Sequence, residues 1–169
     1  MSARAIELER PAAVVRIGEL RVARAGATLA AVGLGSCVAI ALYDPQTRIG
    51  GLAHVLLPDP ADARPGAPAG RFASTAVDLL VRQMERAGAG RHRIEARLAG
   101  GATMFDTLFS NGGRTLGARN AAAAREALAR AGIPIRGEDL GGEHGRSVFF
   151  RLADGRVRVT SVRAPDVLL

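Results

Sequence analysis

The chain has 169 residues, a net charge of +7, 48% hydrophobic and 4% aromatic residues, which suits one domain able to bury its own core. Its 23 cationic side chains are all arginine and are scattered among acids, as at Arg82, Glu85 and Arg86; with so few aromatics to stack on bases, this favours a solvated basic surface over nucleic-acid binding. No apolar run reaches the roughly 18 residues of a membrane span, the N-terminus lacks an apolar signal-peptide segment, and the single cysteine excludes an internal disulfide, so the expected compartment is the reducing cytoplasm.

Residues 13–32 read as strands interrupted by Gly18 and Gly26, leading into the turn Gly33-Leu34-Gly35-Ser36 before Cys37. That turn lacks the Gly-Lys-Ser/Thr ending of a phosphate loop. Val38 to Tyr43 is a short β-prone run, Asp44-Pro45-Gln46-Thr47 is a turn, and Ile49 to Leu57 is a second apolar run. Four prolines and two glycines between Pro58 and Gly70 predict an irregular loop. Because that loop leaves the strand carrying His54, it either borders a substrate groove or is a plain connector.

Ser74 is a candidate cap for a helix over Thr75 to Ala87, whose Val77, Leu80, Val81 and Met84 form an apolar stripe. Ile94 to Ala99 alternates as a strand and runs into Gly100-Gly101. Asn111-Gly112-Gly113 reads as a turn whose Asn-Gly bond is open to spontaneous deamidation. Asn120 is a candidate cap for an alanine-rich helix over Ala121 to Ala131, ended by Gly132 and Pro134. Ile133 to Leu140, Ser147 to Leu152 and Val157 to Val162 read as strands, the last two joined at Asp154-Gly155. The expectation is an α+β fold of mixed sheets flanked by helices, one domain over 1–169 with its core at about 13–163, without repeat or linker.

A solitary thiol is either a packing residue or a reagent. The glycines before Cys37 favour the reagent, since they let a turn present the sulfur with backbone N–H groups pointing inward. A hairpin centred on Pro45-Gln46 would oppose Cys37 directly to His54 on one face of the ribbon, roughly 4.5–5.5 Å apart at Cβ. A turn one residue longer would send the two to opposite faces. A thiol beside an imidazole is the minimal kit for nucleophilic attack on an amide or ester, although a core histidine donating to a backbone carbonyl explains His54 equally well. His92 and His144 sit in polar loops and read as solvated. One cysteine and three separated histidines match no zinc pattern, so neither metal nor cofactor is expected.

Three segments, Gly33-Leu34-Gly35-Ser36-Cys37-Val38-Ala39, Leu42-Tyr43-Asp44-Pro45 and Gly50-Gly51-Leu52-Ala53-His54-Val55-Leu56-Leu57-Pro58, resemble the core signature of the CheD family. These are the chemoreceptor glutamine deamidases of bacterial chemotaxis. The likeness continues through Ala99-Gly100-Gly101-Ala102-Thr103-Met104-Phe105, Leu116-Gly117-Ala118-Arg119-Asn120, Asp139-Leu140-Gly141-Gly142 and Gly145-Arg146-Ser147-Val148.

The resemblance implies Cys37 as nucleophile and His54 as general base and acid, with N–H groups of the Ser36-Cys37 turn donating to the oxyanion. His54 would take the thiol proton, giving a thiolate–imidazolium pair with a lowered thiol pKa. The implied reaction converts receptor glutamines to glutamates through a thioester, with methylesterase activity as an extension of the same chemistry. Implied partners are the cytoplasmic helices of a methyl-accepting chemotaxis protein and a CheC-type phosphatase. Family members carry a threonine six positions before the cysteine; here that position is Ala31, and Thr28 lies three residues earlier. That departure motivates the alternative of a non-catalytic adaptor for receptor or phosphatase.

Overall fold

A valine, an isoleucine, a leucine and two alanines make Val38–Asp44 an apolar strand, and every one of its residues is buried. Its odd- and even-numbered side chains enter two different cores, so a layer must cover each face. The computed structural model describes residues 11–104 and 113–169. In chain order the strands are β1 (Ala13–Val14), β2 (Leu20–Ala23), β3 (Thr28–Leu34), β4 (Val38–Asp44), β5 (Ile49–Val55), β6 (Glu95–Gly100), β7 (Ile135–Leu140), β8 (Arg146–Arg151), β9 (Arg156–Thr160) and β10 (Val167–Leu168). Helix α1 (Ala73–Ala87) lies between β5 and β6, and α2 (Leu116–Ala131) between β6 and β7.

Two five-stranded mixed sheets form, in the orders β1-β3-β8-β9-β10 and β2-β5-β4-β6-β7. Most pairs are antiparallel, but β1 runs parallel to β3 and β6 parallel to β7. Val38, Ile40 and Leu42 of β4 pack with Val77, Leu80, Met84 and Leu128 of the helices. Cys37, Ala39, Ala41 and Tyr43 pack on Leu29, Leu34, Val148 and Phe150 of the other sheet. The result is sheet on sheet on helices, the expected α+β class, with both helices covering one face of the second sheet. Gly51 lets α1 come close: a Cβ there would stand 2.6 Å from a Leu80 methyl carbon.

Both predicted helices form, and both start earlier than expected. Phe72, not Ser74, occupies the N-cap of α1, without a side-chain cap bond. The Ser74 hydroxyl is inside the helix, buried and without a partner among the described residues. Thr115 caps α2 by accepting from the Ala118 N–H, so Asn120 sits within the helix. Each helix ends at a left-handed glycine, Gly88 or Gly132, as the C-cap rule requires. The short β10 was missed: Leu169 exchanges two backbone bonds with Val157, which ties the C-terminal segment to β9. The predicted turn at Asn111-Gly112 lies outside the described residues. No helix among the described residues is long and apolar enough to cross a membrane.

Candidate active site

The candidate site is built where β3 turns into β4. Ala102 N–H donates to the Gly35 carbonyl and Gly101 N–H to the Cys37 carbonyl, each at 2.8 Å, so both sides of Ser36 are pinned to the end of β6. Gly100, at φ +114°, allows this: a Cβ there would sit 2.2 Å from the Cys37 oxygen. The Gly100-Gly101 pair thus packs against both the Cys37 main chain and the start of α2. A Cβ on Gly117 of α2 would come within 2.4 Å of the Gly101 oxygen.

The hairpin register differs from the expected one. Asp44 pairs with Ile49 and Ala39 with His54, so Cys37 does not directly oppose His54. The connecting turn has two more residues than predicted. It closes on Arg48 N–H to Asp44 C=O at 2.8 Å, with Arg48 in the left-handed region at φ +54°. A two-residue shift preserves the face, because side chains alternate with period two. Continued one residue past the start of β4, this register sets Cys37 diagonal to His54, about 7–8 Å away by strand geometry, on the side where Cys37 and Ala39 share a core.

His54 is 2% exposed. Its Nδ1 lies 3.1 Å from the Val15 carbonyl oxygen. A carbonyl can only accept, so Nδ1 carries the proton and Nε2 of the neutral ring presents a lone pair. The backbone holds the residue as well, with His54 N–H donating to Glu19 C=O at 3.1 Å and its C=O accepting from Gly18 N–H at 2.8 Å. The buried Nε2 has no hydrogen-bond partner among the described residues, Cys37 included. Burial lowers the imidazole pKa, and the Val15 bond pushes it the other way.

Cys37 is 5% exposed. Burial raises its thiol pKa, opposed by its own backbone N–H and by the positive charge of Arg71. The expected lowered thiol pKa is thus corrected: at rest the pair is thiol and neutral imidazole, because desolvation disfavours both charged forms. Position 31, where the family threonine was expected, is a buried alanine opposite Val148. Thr28 pairs opposite Arg151, farther back along β3. Orientation of the imidazole falls to the main chain of Val15.

Sequence reasoning missed two further residues. Arg71 ends the Pro/Gly-rich loop, its carbonyl accepting from Leu56 N–H at 2.9 Å and Leu57 N–H at 3.2 Å. Its Nε is buried without a hydrogen-bond partner among the described residues. The only signal for it was that the loop leaves the His54 strand. Asn120 is fully buried, and its Nδ2 donates to the carbonyls of Ser36 and Leu56, each at 2.9 Å. Its place ahead of an alanine run disguised it as a cap.

A groove of about 700 Å³ has Gly33, Met104, His144 and Arg163 in its lining, and neither Cys37 nor His54. His144, expected as solvated surface, is half-buried there, while His92 is exposed. No group of three or more His, Cys, Asp or Glu side chains among the described residues is placed to hold a metal ion.

The family model described as "CheD chemotactic sensory transduction" matches residues 56–161, downstream of both Cys37 and His54. Matches to individual proteins extend further. "Probable chemoreceptor glutamine deamidase CheD 2" of Geobacter metallireducens is 49% identical over 152 residues, covering 89% of this chain and 94% of that protein. "Probable chemoreceptor glutamine deamidase CheD" of Archaeoglobus fulgidus is 47% identical over 154 residues, 91% of this chain and 96% of that protein. Among solved structures, "hypothetical protein YfiH" of Bacillus licheniformis is similar at a TM-score of 0.42 and 20% identity, over 69% of this chain and 48% of that one. With nearly half of the aligned residues identical to such relatives along almost the whole length, the chain belongs to the CheD family.

Proposed function

We propose that the chain is a cysteine-dependent protein-glutamine deamidase that acts in the cytoplasm on chemoreceptor helices. The observation that carries this reading is the His54 tautomer: Nδ1 is committed to Val15, leaving a buried, unpartnered Nε2 lone pair on the face that Cys37 shares. A histidine serving only the core would need no such free acceptor.

Because thiol and imidazole are both neutral at rest, proton transfer accompanies substrate entry. His54 Nε2 takes the thiol proton as sulfur attacks the glutamine side-chain carbonyl carbon. The positive charge of Arg71 favours the sulfur anion. Charge passes to the carbonyl oxygen, where the Ser36-Cys37 turn supplies N–H donors. Losing one such donor typically costs about 10²–10³ in kcat. The imidazolium returns its proton to the departing nitrogen, ammonia leaves, and a thioester remains. His54 then takes a proton from water, which attacks the thioester and releases glutamate and the free thiol. A glutamate methyl ester would follow the same path with methanol leaving.

Incubating a purified receptor cytoplasmic fragment with the wild type should convert specific glutamines to glutamates, read by peptide mass spectrometry. Cys37→Ala and His54→Ala should abolish conversion while remaining folded. Conversion that survives loss of the thiol would reject the mechanism, and a methylated fragment tests the ester reaction through methanol release. Binding without conversion by the wild type would instead support the adaptor for receptor or a CheC-type phosphatase. The missing threonine favoured that alternative, but the Val15 carbonyl now supplies the orientation a threonine would have given.

A further inference from the structure

Asn120 reaches from the interior of α2 to both ends of the hairpin that carries Cys37 and His54. Ser36 immediately precedes Cys37, and Leu56 lies two residues beyond His54; one Nδ2 group donates to both carbonyls at 2.9 Å. The amide orientation follows from these bonds, since turning it over would set Oδ1 against two carbonyl oxygens. The Oδ1 itself is buried with no partner among the described residues. An unpaired buried acceptor costs stability, and asparagine is a poor residue for a helix interior. What the position gains is a pair of donors, one aimed at the reactive loop and one at the chain leaving β5.

The Ser36–Cys37 peptide is trans, so its carbonyl and N–H point in opposite directions. Drawing the Ser36 carbonyl towards α2 turns the Cys37 N–H to the other side of the loop. There it donates to no backbone carbonyl of another described residue.

We propose that Asn120 is a positioning residue for deamidation: it fixes the Ser36–Cys37 peptide plane so that the Cys37 N–H meets the oxyanion formed when Cys37 attacks a glutamine. This rests on the deamidase reading above and adds a residue that neither the thiol nor the imidazole touches. Removing the tie frees the plane to rotate. It should therefore lower kcat more than it changes KM, and weaken the N–H support of the sulfur anion.

Asn120→Ala should lose about 10²-fold in kcat on a receptor fragment, with KM little changed. The pH profile of Cys37 alkylation by iodoacetamide should also move to higher pH. Leu128→Ala, buried on the same helix but packed in the other core, should lose stability and keep both kcat and the alkylation profile. Equal kcat losses in the two variants under conditions where both are folded, or an unchanged alkylation profile in Asn120→Ala, would overturn the proposal. If Asn120→Ala does not fold, the wild type decides. Capping the thiol with a peptide aldehyde that mimics the tetrahedral species should shift the Cys37 amide proton downfield in NMR, and no shift rejects the role. A wild type that deamidates nothing removes the deamidase reading instead, and the alkylation profile still decides what Asn120 does to the sulfur.

Discussion

At Cys37 and His54 the decisive quantity is the free energy of separating charge in a place with little water. Burial raises the thiol pKa and lowers that of the imidazole, so each group resists the charge the proposed reaction asks of it. The sign of the pH dependence follows. The fraction of thiolate at neutral pH is below that of an ordinary cysteine, and alkylation of Cys37 should accelerate with pH beyond the ordinary thiol range. Arg71→Gln removes the positive charge that opposes this shift and should slow alkylation at every pH below the plateau. An inflection at or below neutrality in the wild type would contradict the assignment. Cys37 and His54 were legible in the chain because a lone cysteine after glycines and a histidine across a hairpin are side-chain signals. The Val15 carbonyl was not, since every residue has one. Asn120 was visible but misassigned, because the Thr115 cap that starts the helix more than a turn earlier lies ahead of the alanine run that drew attention.

The β4–β5 hairpin holds the two groups in register, and Asp44 secures its turn. The Asp44 carboxylate is fully buried and accepts from Gln46 N–H at 3.0 Å and Gly90 N–H at 2.8 Å. Arg93 adds a fork of two bonds, Nε at 3.0 Å and Nη2 at 2.7 Å. Burial alone would raise the Asp44 pKa; the Arg93, Gly90, Thr47 and Gln46 bonds outweigh it and hold the carboxyl well below the usual range. With its folded pKa depressed, Asp44 contributes stability that is present above the ordinary carboxylate pKa and lost as pH falls through the folded value. Asp44→Ala should destabilise the protein by about 2–3 kcal/mol in denaturant melts, and the difference from wild type should shrink in acid. A difference that is the same at every pH would rule out the ionised carboxylate as the cause. This strand pair was readable from its apolar runs and turn residues. Its register was not, because a left-handed arginine at position 48 carries no sequence mark of the kind glycine gives.

Across the whole molecule, β4 is the shared wall of two cores, and the candidate site lies at its leading end on the side facing the other sheet. That layering was hidden in the sequence: a strand buried on both faces shows a continuous apolar run with no alternation to say which residue faces which layer. Outside, arginine gives the surface its net charge of +7, a field suited to drawing in an acidic partner. Raising salt from about 0.01 to about 1 M shortens the screening length from about 30 to about 3 Å. The second-order rate kcat/KM on a receptor fragment should fall over that range while kcat holds. A salt-independent kcat/KM would mean the basic surface takes no part in encounter.

The support that His54 receives from Val15 has an unusual genetic property. Since the acceptor is part of the chain's repeating skeleton, replacing the side chain at position 15 keeps the carbonyl and, proline aside, alters only how well that buried spot is filled. On the proposed mechanism the group that orients the imidazole thus escapes removal by side-chain substitution, and a saturation screen for lost activity should register Cys37 and His54 with no third side chain bonded to the ring.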